Sequence, residues 1–123
     1  MIQLDTSFLI RALAAASDED ATLRRWLRNR EAIGISAVAW AEFLCGPVSA
    51  GVVDIAGRLL GDPLPFTEAE AAVAGQLFNE TGRRRGTLLD CMIAATAIEA
   101  GDALATSNRM DFKRFEKLGL TLV

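Results

Sequence analysis

The sequence predicts an α/β fold built on a short, mostly parallel central sheet flanked by helices. Three observations carry this. Short apolar runs bounded by turn residues alternate with longer segments of helical period along the whole chain. The short runs, such as AIGIS at 32–36 and DALAT at 102–106, are nearly continuous in apolar character, as strands covered on both faces are. Polar or acidic residues close these runs, where ligands bind in open α/β sheets.

The elements follow in order. Ile2 to Asp5 is a short strand, and Thr6 or Ser7 can cap a helix running through Phe8, Leu9, Ile10, Ala12 and Leu13. Ser17 to Asp20 is an acidic turn. The next helix runs to about Arg30, with Leu23, Trp26 and Leu27 on one face and Arg24, Arg25 and Arg28 on the other. Ala32 to Ser36 is the second strand. Ser36 can cap a helix through Val38, Trp40, Phe43 and Leu44, stopped by Gly46 and Pro47. A helix from Val48 to Leu60 and a short strand from Leu64 to Phe66 come next. Thr67 with Glu70 forms a capping box for a longer helix that fades at Gly82. Arg83-Arg84-Arg85-Gly86 is a basic turn. Leu88 to Ala100 is a strongly apolar helix with Gly101 as its natural stop. Asp102 to Thr106 is a strand, Asn108 to Leu118 a helix and Leu120 to Val123 a last strand.

These elements make one domain over residues 1–123, large enough to bury a core. Apolar residues are 51% of the chain and charged residues 24%, which excludes a disordered chain. No apolar run reaches the roughly 18 residues of a membrane span. The start MIQLDTSFLI lacks a basic stretch and carries Asp5, so no secretory signal is expected. Cys45 and Cys91 sit in apolar helical contexts and read as reduced core thiols of a cytoplasmic protein. With no His in the chain, imidazole acid–base chemistry, His-containing triads and His-rich zinc sites are excluded. The net charge of −3 is unusual for a nucleic-acid binder, although a total says little about one face.

The acids carry the chemistry. Asp5 closes the first strand, and Asn108 and Asp111 follow the Ala103 to Thr106 strand. Glu42 and Asp90 interrupt apolar helices, and Glu42 lies too deep in its helix for a cap. Taken singly, Asp5 reads equally as the N-cap of the first helix. Thr87 to Asp90 fits a capping box, Asn108 to Asp111 resembles one, and Glu42 can pair with an Arg. Taken together, several carboxylates near one end of one sheet repel each other unless a cation joins them. All-oxygen ligation without His or a thiolate cluster points to a hard ion, Mg²⁺ or Mn²⁺.

The segments MIQLDTSFLI, AVAWAEFLCG, GTLLDCMIAATA and ATSNRMDFKRF, in this order over nearly the whole chain, resemble the PIN-domain proteins. Within that family they resemble the VapC-type toxin ribonucleases of bacterial toxin–antitoxin pairs. The resemblance implies a PIN-like three-layer sandwich with an acidic pocket that binds Mg²⁺ or Mn²⁺ and hydrolyses RNA phosphodiesters. Asp5, Glu42 and Asp90 match the family's three acidic positions, with Asp5 and Asp90 the main metal contacts. At the fourth position many members have an acid where this chain has Asn108. Asp111, one turn later, matches a recurrent acid and is taken as the fourth catalytic residue. Asn108 is a polar ligand or supporting group. Thr6 and Ser7 match hydroxyl positions beside the first acid, and Thr106 or Ser107 would touch the metal or a phosphate.

The same resemblance implies a cognate VapB-type antitoxin, a homodimer, and a larger toxin–antitoxin assembly. Trp26 and Phe78 are candidates for either interface or for the core, and Trp40 for the core. Basic residues must surround a negative pocket that takes RNA. Arg83, Arg84 and Arg85, just before the Asp90 helix, are candidates for phosphate contact, with partner contact the competing reading. Arg109, Lys113 and Arg114 flank Asp111, while Arg24, Arg25, Arg28 and Arg30 read as a solvated face. Other readings are a PIN nuclease of RNA processing outside any toxin pair and an idle PIN-fold interaction domain. A haloacid-dehalogenase-like phosphatase is disfavoured, because it needs a second Asp at position 7, where this chain has Ser.

Overall fold

Four short strands pair entirely in parallel in the order β2-β1-β3-β4: β1 (Ile2–Leu4), β2 (Ile33–Ile35), β3 (Ala103–Ala105) and β4 (Thr121–Leu122). The structure is a computed structural model and describes all residues 1–123. Seven helices surround the sheet: α1 (Thr6–Ala12), α2 (Asp18–Arg28), α3 (Ala37–Cys45), α4 (Ala50–Leu60), α5 (Glu68–Glu80), α6 (Leu88–Ala100) and α7 (Arg109–Phe112). A 3-10 helix, Lys113–Leu118, continues α7. Gln3 and Leu4 point to opposite faces of β1, and both are fully buried. Both faces of the sheet are therefore covered, which makes the three layers expected.

The local signals mostly act where they stand in the sequence. Ser36 accepts from the Ala39 N–H and starts α3. Glu70 accepts hydrogen bonds from both the backbone N–H and the hydroxyl of Thr67 at the start of α5. Gly101 closes α6 in the left-handed region at φ 72°, where a side chain would be strained.

Several boundaries differ. The first helix is capped by Asp5, not by Thr6 or Ser7, because only the residue before the first turn can aim an oxygen at the Phe8 N–H. Ser17 caps α2, so Asp18 to Asp20 form its first turn, where acids oppose the positive helix end. Ser49 caps α4, which begins at Ala50 rather than Val48. The strand expected at Leu64 to Phe66 is a single bridge, Leu64 to Ser36, beyond the end of β2. Asn108 to Leu118 divides into α7 and the tighter 3-10 helix. Period three then sets Phe112 and Phe115 together in the core, in edge-to-face contact at 6.1 Å.

α6 is the central helix. It is apolar on nearly every side and buries Cys91, Ile93, Ala94, Ala95, Thr96 and Ala97. Its alanines let α5 lie close along it. One cluster of buried apolar side chains joins the helices to the sheet. Each large member, such as Phe43, Leu77 or Phe115, is worth about 1.5–3 kcal/mol relative to exposure. Trp26 is half-buried and stacks on Phe8 at 5.4 Å, and Trp40 is half-buried against Phe43. Phe78 is half-buried as well. Cys91 lies in the core as expected, but Cys45 is exposed, because it ends α3 on the outward side. No helix is long and apolar enough to cross a membrane.

Candidate active site

The strand order reverses at β1, with β2 on one side and β3 on the other. A crevice beyond the carboxyl ends of β1 and β3 is therefore the expected ligand position. The register sets its first contact. Leu4 pairs with Ala105, so the residues that follow, Asp5 and Thr106, stand side by side.

Asp5 is 3% exposed, yet well supplied with donors. Its Oδ1 accepts from the Phe8 N–H and the Ser7 hydroxyl, each at 2.8 Å, and its Oδ2 accepts from the Thr106 hydroxyl at 2.5 Å. Ser7 and Thr106 are fixed in turn, because Ser107 N–H donates to Ser7 Oγ and Asn108 N–H to Thr106 Oγ1. The cap and the site residue are thus one carboxylate. Burial raises its pKa above the usual 3.8, and the hydrogen bonds from Thr106, Phe8 and Ser7 oppose that rise.

Glu42 reaches the same crevice from α3. Its Oε1 accepts from the Thr6 hydroxyl at 3.0 Å, and that hydroxyl also contacts the Ala39 carbonyl. Asp90 enters from the first turn of α6. It does not close a capping box: the Thr87 hydroxyl donates back to the Arg84 carbonyl, and the Asp90 carboxylate accepts no hydrogen bond. Its carboxyl is instead pushed up to about 6, first by burial and then by the negative charge of Asp111. Arg114 opposes this, and Glu42 and Asp5 add to it.

Asp5, Thr6, Ser7, Glu42, Asp90 and Asn108 line one cavity of about 250 Å³, together with Ile10, Ile93 and Phe112. The structure thus brings together six of the residues singled out in the sequence. Asp111 is exposed and outside the lining, and it acts on Asp90 through its field. Asn108 provides no side-chain cap to α7, which leaves its amide to the cavity. Thr106 stands behind Asp5, facing a neighbouring polar cavity with Ser107 and Arg109. Arg83, Arg84 and Arg85 are exposed on the turn before α6, at the end of the helix that carries Asp90, and outside the cavity. Arg24 pairs with Asp20, and Arg109 donates to the Val123 carbonyl.

One residue at the site was counted in the sequence only as a flanking base. Arg114 turns inward, is 17% exposed, and sets Nη2 4.0 Å from Asp90 Oδ2. Its spacing of three from Asp111 was the available signal, but its partner comes from another helix.

Three carboxylates and an amide facing an open cavity are a hard-oxygen donor set with no imidazole or thiolate. No three acids converge closely enough to chelate an ion alone. Glu42 also borders a second, apolar groove of about 600 Å³ between α3 and α6, walled by Val38, Ala41, Cys45, Leu89 and Met92.

The sequence model of the PIN domain family matches residues 2–118. No curated protein sequence matches the chain significantly. Among solved structures, the chain is similar to VapBC2 from Rickettsia felis bound to a promoter DNA fragment, with TM-score 0.80 and 25% identity, covering 100% of this chain and 98% of that one. DNA-bound VapBC from Salmonella typhimurium matches with TM-score 0.79 and 23% identity over 99% and 96% of the two chains. VapC20 from Mycobacterium tuberculosis, a sarcin-ricin-loop-cleaving toxin, matches with TM-score 0.71 and 17% identity over 100% and 98%. The chain belongs to the PIN-domain family and, within it, resembles the VapC-type toxins.

Proposed function

We propose that the chain is a Mg²⁺- or Mn²⁺-dependent endoribonuclease, the toxin of a toxin–antitoxin pair. The observation that carries this reading is the gathering of Asp5, Glu42 and Asp90 from three separate segments into one cavity at the strand-order switch point. A structural role would not need mutually repelling acids there, and Asp90 makes no cap that would justify it. Asp5 and Asp90 would hold the cation, with Asn108 and solvent completing its shell. The cation supplies positive charge against the phosphate and makes a nearby water more acidic.

The protein's own groups do the rest. Ser7, Thr106 and the Phe8 N–H keep Asp5 in one orientation. Thr6 occupies one oxygen of Glu42, which leaves Oε2 to accept a proton from the attacking water. In-line attack leaves a 5′-phosphate and a 3′-hydroxyl. Arg83 to Arg85 at the end of α6 would draw in the RNA backbone.

The partners follow the same reading: a cognate VapB-type antitoxin, a second copy, and a larger assembly of both, in the cytoplasm. Two apolar grooves offer surfaces for them. One is the α3–α6 groove, and the other lies between α1, α2 and α4, with Leu13, Leu27 and Leu59 on its walls. The test is cleavage of total cellular RNA by the antitoxin-free protein with Mg²⁺ or Mn²⁺, beside Asp5→Asn and Asp90→Asn. Metal-dependent cuts lost in both variants support the nuclease. Absence of both cleavage and metal binding favours an idle interaction domain.

A further inference from the structure

Among the site's acids, only Asp90 has a cationic partner within the chain, and that partner is Arg114. Its setting is unusual. The guanidinium carbon lies 4.5 Å from the centre of the Phe115 ring, a cation–π placement that holds it from behind. Nε and Nη2 are buried and have no hydrogen-bond partner. Leaving donors of a charged group unpaired in the interior is costly. Phosphate contact accounts for Nη1 at most, because Nε and Nη2 are buried. A purely structural ion pair does not explain the arrangement either, since 4.0 Å is too long for a direct charge-assisted hydrogen bond.

We infer that Arg114 is a positioning residue that acts as the pocket's resident counter-cation, balancing Asp90 while no divalent ion is bound and competing with that ion when it arrives. The inference rests on the proposed metal site. Arg114 offsets the negative charge of the acidic cavity and keeps Asp90 aimed at it. Its fixed positive charge also weakens metal binding, so metal affinity is set by the difference between the two cations.

The test is Mn²⁺ titration calorimetry on the antitoxin-free chain, with thermal melts in EDTA and at saturating Mn²⁺. Three variants are compared with wild type. Arg114→Gln and Arg114→Met remove the charge, and Met keeps the stem packed over Phe115. Arg114→Lys keeps the charge. The expected result is Mn²⁺ binding about tenfold tighter in Gln and Met, and within about twofold of wild type in Lys. The Gln and Met variants also melt lower than wild type in EDTA and recover at saturating Mn²⁺. Unchanged or weaker binding in both neutral variants, while wild type binds Mn²⁺, overturns the role of Arg114 and leaves the metal site standing. No Mn²⁺ binding by wild type overturns the metal site and this inference together.

Discussion

Asp90→Asn is expected to stabilise the metal-free protein at pH 7.5 while removing the proposed activity. The carboxyl of Asp90 rises from 3.8 to about 6 in the folded chain, chiefly through burial and the charge of Asp111. A raised carboxyl pKa means the folded state binds a proton more tightly than the unfolded one. Stability therefore falls as pH rises from about 3.8, and the full penalty is present above about 6. A shift of roughly two units corresponds to about 3 kcal/mol. Because the side chain is 31% exposed, solvent screening leaves about half of that, ~1.5 kcal/mol. For a chain of this size each kcal/mol moves Tm by about 3–5 °C, so the variant melts about 5–8 °C higher in EDTA. The assay is a series of melts at pH 4 to 8 in EDTA, wild type against variant. The gap opens between pH 4 and 6 and closes at the acid end. A variant no more stable than wild type at pH 7.5, or a gap that persists unchanged at pH 4, refutes the account of a strained acidic pocket.

Three further outcomes are expected. Mg²⁺ at about a hundred times its dissociation constant stabilises the wild type by about 2.7 kcal/mol, and the gain disappears in Asp5→Asn, read by denaturant unfolding. Thr106→Val removes the hydroxyl that donates to Asp5 and accepts from the Asn108 N–H. Urea midpoints should reveal a loss of about 1–3 kcal/mol, with a larger loss of Mn²⁺ affinity than Ser7→Ala produces. A thiol reagent labels Cys45 in the native chain and spares Cys91, whose burial also raises its thiol pKa. Mass spectrometry should find one label native and two after denaturation.

Much of this protein was legible along the chain, because much of it depends on near neighbours. Helical period located α2, a continuous apolar run located α6, and capping residues such as Ser36, Thr67 and Gly101 act within three or four positions of themselves. Acids embedded in apolar segments marked Asp5, Glu42 and Asp90, because a carboxylate there needs a reason that local structure does not provide. The four-segment likeness to PIN-domain proteins implied the fold. What remained undecided was pairing over distance. Whether Asp5 caps α1 or serves a site depended on the β1–β3 register, which sets Thr106 against its free oxygen while the cap bond stays in place. Whether Asp90 caps α6 depended on Thr87, whose hydroxyl turns back to Arg84. The sequence favoured Asp111 over Asn108 for the fourth position, whereas the turn into α7 sets Asn108 in the cavity and leaves Asp111 in solvent. Arg114 was invisible as a site residue because its partner lies on α6, 24 residues earlier. Local propensity follows from which residues are adjacent in the chain. The electrostatics of the pocket follow from which helices the parallel sheet brings together, and only the folded chain decides that.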